Sequence, residues 1–248
     1  MIPKIIWQTY EVSFDELPQY IKDCAQTWKD NNPEWEYRYV DAKERDKFVL
    51  NNFDQEWYNI FTKLPYGVLK ADIWRYMIMY IYGGVYADLD TLCKGPIEVW
   101  LKNDMNSTFF IDHNNEHFCQ FILSSVPKNI IYMEILELIK NKFNDKEFVK
   151  TFLNKTIKDF TFHFTGNLVC TEAIRNFLKI PKHFHLIYHY EKVKILKNLE
   201  INKFFYYGKE SQEMLFNYPI EHLMGSNTWN KDNYIQWHKQ DFIGEQFL

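Results

Sequence analysis

Hydrophobic and polar positions along the chain alternate between strand-like and helix-like periods. Lys4–Gln8 is an apolar run behind Pro3 that closes on polar Gln8 and Thr9, the pattern of a buried first strand. Leu17–Asn31 reads as a helix, ended by Asn-Asn-Pro because a residue before proline is pushed out of the helical region. Glu36–Val40 alternates and stops at Asp41, a second strand. Ala42–Asn51 and Gln55–Thr62 predict two more helices, which lead through Leu64-Pro65-Tyr66-Gly67 into a run of unusual character.

That run, Lys70 to Thr91, reads KADIWRYMIMYIYGGVYADLDT. Its pattern predicts a helix, a Gly-Gly stop, a short buried strand and two aspartates one residue apart. Beyond it, Lys94-Gly95-Pro96 is a turn. Thr108–Asp112 and Cys119–Ser124 are strand-like, Ile130–Phe143 is helical, and Lys146–Lys158 is a charged helical stretch. Thr165-Gly166-Asn167 opens a helix over Gly166–Leu178, and the tail from Pro181 holds weak strand signals and the segment Glu221–Trp229. Strands alternating with helices predict an α/β fold, a Rossmann-like, mostly parallel sheet flanked by helices. With no repeat, linker or clean boundary, the expectation is one domain over residues 1–248.

Composition narrows the function. The 46% hydrophobic fraction is ample for one large core. A net charge of −4 and a pI near 6.1 leave no electrostatic footprint for nucleic acid. Cys24, Cys93, Cys119 and Cys170 have no paired spacing, so reduced thiols in a cytoplasmic protein are expected. The longest apolar stretch, Ile73–Ala87, contains Arg75 and the Gly-Gly break, too short and interrupted for the ~20 residues of a spanning helix. Peripheral contact with a membrane carrying a lipid-linked acceptor stays open. His183, His185 and His189 lack a Cys or carboxylate at ligand spacing, so surface or aromatic-contact histidines are the expectation there.

The chemistry concentrates in the Lys70–Thr91 run. On a strand, Asp88 and Asp90 would face the same way at roughly 7 Å, repelling by about 2–3 kcal/mol at an effective dielectric near 20. A hard divalent cation between them would relieve that repulsion and keep free positions for phosphate oxygens. Asp72 and Arg75, spaced i and i+3, share one face of the preceding helix. A surface ion pair there would be worth at most ~1 kcal/mol. The helix is otherwise almost all apolar, so a buried pair with specific partners is the stronger reading.

These residues resemble a known family. Ile2-Pro3-Lys4-Ile5-Ile6-Trp7-Gln8-Thr9, then Asp72-Ile73-Trp74-Arg75-Tyr76 with Gly83-Gly84-Val85-Tyr86-Ala87-Asp88-Leu89-Asp90, and finally Gly225-Ser226-Asn227-Thr228-Trp229 are similar to the DXD-containing sugar transferases of glycosyltransferase family 32. That family includes yeast-type initiating mannosyltransferases and is distantly related to the clostridial glucosylating toxins. The resemblance implies a GT-A fold and transfer of a hexose from a UDP- or GDP-sugar to a glycan or glycolipid acceptor. It also implies Mn²⁺ or Mg²⁺ and retention of the anomeric configuration. It makes Asp90 the direct metal ligand and places Asp88 at the metal shell and the donor ribose or sugar. It gives Asp72 and Arg75, beside Tyr76 and Gly84, the donor-sugar hydroxyls. Trp7, where many members carry His, would border the base, with Gln8 and Thr9 close by. His222, Ser226 and Trp229 would lie near metal and diphosphate, with Asn227 a substitute ligand. Thr165-Gly166-Asn167 resembles a family Thr-Gly-Pro turn near the acceptor.

Two other functions compete. Ala87-Asp88-Leu89-Asp90-Thr91 also fits the strand-end DxDxT motif of haloacid dehalogenase-type phosphatases, with Asp88 as nucleophile. That motif normally sits in the first strand and needs a later acidic pair such as GDxxxD, which the chain lacks. A non-catalytic nucleotide-sugar or glycan binder is the third possibility, although nothing in the DXD run is broken.

Overall fold

The computed structural model describes residues 1–101, 105–111, 117–152, 155–180, 199–203 and 220–222. In chain order the elements begin with β1 (Ile5–Thr9), α1 (Gln19–Asn31), β2 (Glu36–Val40), α2 (Ala42–Asn52), α3 (Gln55–Lys63) and α4 (Gly67–Ile81). Next come β3 (Gly84–Ala87), β4 (Thr91–Cys93), β5 (Ser107–Ile111), β6 (Ile122–Ser125) and α5 (Ile130–Asn144). The remainder are α6 (Lys146–Lys150), α7 (Ile157–Phe164), α8 (Asn167–Leu178), β7 (Leu199–Lys203) and β8 (Ile220–His222).

Six strands form the main sheet in the order β2-β1-β3-β6-β5-β7, and β4 pairs with β8 in a second, two-stranded sheet. β1 runs parallel to β2 and β3, and β5 parallel to β7, while β6 lies antiparallel to both β3 and β5. The sheet is therefore mostly parallel, with one reversed strand in its middle.

Both faces of the central strands are covered, which is why they read as continuous apolar runs. Trp7 packs into the larger core with Trp74 and Met77 of α4, whereas its neighbour Ile6 packs on the other face with Trp28 of α1 and Val85. Nine residues of α4 are buried, Asp72 and Arg75 among them. A helix this apolar has no solvent face to spare for an ion pair.

Local chemistry sets the boundaries. Asp41 and Glu44 form a reciprocal cap at the start of α2, and Asp54 accepts from Trp57 N at the start of α3. α1 begins at Gln19 rather than Leu17 because Pro18 stands at its amino end. The single charged helix expected over 146–158 is two helices, because Thr156 and Asp159 build a fresh cap for α7. The strand expected over Cys119–Ser124 is shorter, Ile122–Ser125.

The Gly-Gly stop has a steric cause. Gly83 and Gly84 adopt φ of +65° and +98°, and a Cβ on Gly84 would lie 2.6 Å from the carbonyl of Ile5 on β1. Gly84→Ala combines that clash with backbone strain of order 1–3 kcal/mol. We expect it to lower the urea midpoint by more than about 2 kcal/mol equivalent at unchanged slope, measured by tryptophan fluorescence. An unshifted midpoint would show that β1 and β3 separate easily.

Candidate functional site

α4 delivers its one charged pair to the carboxyl end of β3. The Arg75 guanidinium bridges two carboxylates: Nη2 lies 2.9 Å from Asp72 Oδ1 and 3.3 Å from Asp88 Oδ1. Its Nη1 donates to the Gln120 carbonyl at 3.1 Å, and its plane lies over the Tyr86 ring, 4.9 Å from the centroid. Burial opposes the charge on Arg75, but Asp88, Tyr86 and Asp72 outweigh it and hold the guanidinium protonated beyond its ordinary range.

Asp72 is 1% exposed, and its oxygens are nearly spent. Oδ1 takes Arg75 and the Gln120 side-chain amide at 3.2 Å, and Oδ2 takes the Thr165 hydroxyl at 2.9 Å. Of four acceptor sites one remains, on Oδ2. Tyr76 orients the network by donating to Gln120 Oε1 at 2.6 Å, which turns the amide nitrogen toward Asp72. Burial pushes the Asp72 carboxyl up to about 6, against the pull of Arg75.

That position of Asp72 yields a prediction with two opposite signs. Its folded value lies above the ordinary 3.8, so its stabilising contribution is complete below that value and lost as pH rises through about 6. Activity should run the other way, because only the carboxylate pairs with Arg75. Wild type should therefore lose more urea stability between pH 5 and pH 8 than Asp72→Asn, while its activity rises over the same interval. Parallel stability curves for the two proteins would contradict this.

The aspartates themselves depart from the strand expectation. β3 ends at Ala87, and Asp88-Leu89-Asp90-Thr91 is a turn closed by Thr91 N donating to Asp88 O at 3.1 Å. Leu89 is the anchor: 4% exposed, it sinks into a small core with Leu17, Ile21 and Ala25. Strand alternation therefore does not fix the relation of the two carboxyls. Asp88 faces the α4 side, where Tyr86 donates to its Oδ1 at 2.5 Å. The charge of Asp90 is felt on α1, where burial and then that charge raise the Cys24 thiol to about 11. Gln8 ties the turn to β1 by donating to the Asp88 carbonyl at 3.1 Å.

Among the predicted residues, the structure brings together Asp72, Arg75, Tyr76, Asp88 and Gln8, with Asp90 two residues along the turn. Thr9 lies beside them at the end of β1, its hydroxyl spent on the Val40 carbonyl. Trp7 and Gly84 are held elsewhere. The Trp7 indole is 3% exposed, donates to Gly83 O at 2.9 Å and stacks on Tyr82. It lines a cleft of about 450 Å³ with Arg38, Glu44, Phe48 and Trp74. The backbone of His222 pairs with Thr91, next in sequence to Asp90. Ser226, Asn227, Trp229 and the histidines 183, 185 and 189 lie outside the described residues. Tyr86 and Gln120 were not expected. Tyr86 had a signal, sitting two residues before Asp88, whereas Gln120 reaches the site only through the antiparallel return of β6.

The donor set fits a hard divalent cation. Asp88 and Asp90 would offer it hard carboxylate oxygens on a partly exposed turn. Among the described residues no cluster of three or more His, Cys, Asp or Glu is placed to hold a metal ion, so these two carboxylates alone would leave most of its coordination positions open. Arg75 already balances much of the charge of Asp88. The phosphatase reading fares worse: β3 is third in chain order, and Oδ1 of its nucleophile would be engaged by Tyr86 and Arg75.

Known proteins resemble this chain in sequence and in fold. Residues 18–107 match the family described as the glycosyltransferase sugar-binding region containing DXD motif, a stretch that includes Asp72, Arg75, Asp88 and Asp90. The chain is 36% identical over 105 residues to the initiation-specific alpha-1,6-mannosyltransferase of Candida albicans, covering 41% of this chain and 27% of that protein. It is 26% identical over 202 residues to the enzyme of the same name from Schizosaccharomyces pombe, covering 71% and 49%. It is 30% identical over 158 residues to inositol phosphoceramide mannosyltransferase 1 of that yeast, covering 60% and 46%. The chain thus spans about half or less of these relatives. Among solved structures, the PaToxG glycosyltransferase superposes with a TM-score of 0.50 at 16% identity, covering 78% of this chain and 75% of that one. The ligand-free glycosyltransferase domain of the YGT toxin gives 0.50 at 10%, covering 81% and 80%. At such identities the likeness is one of fold, that of the GT-A glycosyltransferases. Among the described residues no helix is long and apolar enough to cross a membrane.

Proposed function

We propose that this chain, with its DXD-containing glycosyltransferase region, transfers a hexose from a nucleoside-diphosphate sugar to a hydroxyl of a glycan or glycolipid, with retention at the anomeric carbon and with Mn²⁺ or Mg²⁺. The observation that carries the reading is the Arg75 bridge between buried Asp72 and partly exposed Asp88, set beside an open acidic turn at the carboxyl end of β3. Ligands in open α/β sheets collect at those strand ends.

Asp88 and Asp90 would hold the cation, which when bound supplies positive charge to the diphosphate oxygens. Arg75 adds a fixed positive charge on the other side. It needs no reorganisation, because Asp72, the Gln120 carbonyl and the Tyr86 ring have already oriented it. The free lone pair of Asp72 and the second face of Arg75 are suited to hydroxyls of the donor hexose. In the transfer, the bond from C1 to the phosphate oxygen breaks and the acceptor oxygen forms a bond to C1 on the same face. The acceptor proton passes to an oxygen of the departing diphosphate. Asp72 is committed to Arg75, Gln120 and Thr165, with its one remaining acceptor position assigned to the donor hydroxyls, and Gln120 is an amide, so the reading assigns neither as a covalent nucleophile.

The test is the stereochemistry of the first product. Proton NMR of a running reaction should show the sugar released or transferred first as the donor's own anomer. The opposite anomer appearing first would overturn the same-face transfer.

A further inference from the structure

The main sheet ends on one side in an open strand. Among the described residues β2 has a single strand neighbour, β1, with which it pairs in parallel from Ile5–Glu36 to Thr9–Val40. Glu36 N donates to the Lys4 carbonyl at 2.9 Å and Tyr10 N to the Val40 carbonyl at 3.4 Å, so these main chains face β1. Strand alternation then turns the backbone N–H and C=O of Tyr37 and Tyr39 outward. Such an edge is a template for a further strand, and folds commonly blunt it with proline, a bulge or lysines. β2 reads Glu-Tyr-Arg-Tyr-Val and matches β1 residue for residue, so it carries none of these.

What β2 carries instead is two opposite charges on one face. Glu36 and Arg38 have side chains 53% and 47% exposed, with Arg38 Nε 2.6 Å from Glu36 Oε1. Alone, an exposed pair of this kind is worth little. Its order along the strand matters more, because the order is self-complementary. Laid antiparallel against a second β2 with Tyr37 opposite Tyr37, each Glu36 faces the Arg38 of the other copy. The outward N–H and C=O of the two Tyr37 residues then exchange both bonds of a hydrogen-bonded pair. Sliding one strand by two residues keeps outward groups paired but sets Arg38 against Arg38, or Glu36 against Glu36. Like charges directly opposite are unfavourable, so charge selects a single register.

We infer that β2 is the interface of a two-fold dimer, in which a second copy of this chain adds its own β2 antiparallel in that register. Four charges then alternate in sign around the axis. The flank of the strand suits this occupant. On the face that carries Arg38, a cleft lined by Val40, Phe48 and exposed Tyr82 borders the edge. A two-fold contact covers this apolar surface in both copies at once. An edge and a cleft lie at the low end of stable interface sizes, so the dimer is a weak one.

The experiment is sedimentation equilibrium of the full chain from low to high micromolar concentration. The variants are Glu36→Lys, Arg38→Glu and the exchange Glu36→Arg/Arg38→Glu. Wild type and the exchanged variant should dimerise with affinities within about 3-fold of one another. Each single variant sets like charges opposite and should dimerise at least ~10-fold more weakly. Mixed in equal amounts, the two single variants should pair with each other, because a cation then faces a glutamate at both positions. A wild type that stays monomeric would overturn the inference. So would single variants that dimerise like wild type, or a mixture no more associated than its parts. Should a charge reversal fail to fold, Glu36→Gln and Arg38→Gln replace it, and an unweakened dimer in both would overturn the inference equally.

Discussion

Arg75→Met is expected to damage fold and activity together, and a second substitution should separate the two. Removing the guanidinium leaves Asp72 as an uncompensated carboxylate at 1% exposure, a loss of about 3–5 kcal/mol for a broken buried pair. The double variant Asp72→Asn/Arg75→Met removes the stranded charge and should recover most of that stability. It should not recover activity, which we expect to fall at least ~10²-fold in both proteins, the typical scale for losing one oriented charge in a site. Arg75→Lys should fold better than the methionine variant yet remain impaired, because an ammonium cannot span Asp72, Asp88 and the Gln120 carbonyl at once. Urea unfolding and donor hydrolysis on the same four proteins give the result. Full activity in the double variant would mean that Arg75 serves the fold alone.

Asp90→Ala should show the opposite balance. Asp90 lies on a partly exposed turn that Leu89 anchors, so the fold should lose no more than about 1 kcal/mol. Donor turnover should fall by about 10³-fold or more, and added Mn²⁺ should no longer raise the melting temperature in the presence of a nucleoside diphosphate. Asp88→Asn should be the milder change structurally, since an amide oxygen can still accept from Tyr86, but it forfeits the charge that faces Arg75. Retention of the Mn²⁺ effect in both variants would place the cation somewhere other than this turn.

Much of this site was legible in the residues because the deciding features are local. An apolar helix carrying one Asp and one Arg on a shared face announces a buried pair, and α4 buries both. Two glycines after it announce a stop that only positive φ permits, as Gly83 and Gly84 show. Residue spacing misled at the aspartates. Their one-residue interval looks like strand alternation, but Leu89 is drawn into a core formed with α1, and that tertiary contact curls the chain into a turn. The same limit hid Gln120. It lies 48 residues from Asp72 and arrives through the antiparallel return of β6 beside β3, a pairing that no periodicity in either strand encodes. Thr165 belongs to a segment that resembles a family turn. Its hydroxyl on the otherwise buried Asp72 gives that turn a physical reason to lie where it does. The charged stretch 146–158 misled differently: its helical composition is real, but a Thr-Asp cap inside it starts a new helix.

We propose that the Asp72–Arg75–Asp88 bridge and the Asp88–Asp90 turn form the donor site of a metal-dependent sugar transferase. The most direct measurement is nucleotide release from UDP- and GDP-hexoses by the purified chain, with Mn²⁺ and with a chelator, alongside Asp90→Ala. Wild type should hydrolyse at least one donor slowly and only with Mn²⁺, and this release should be abolished both by the chelator and in the variant. Hydrolysis that persists in Asp90→Ala, or a folded wild type that releases nucleotide from none of the donors, would contradict it.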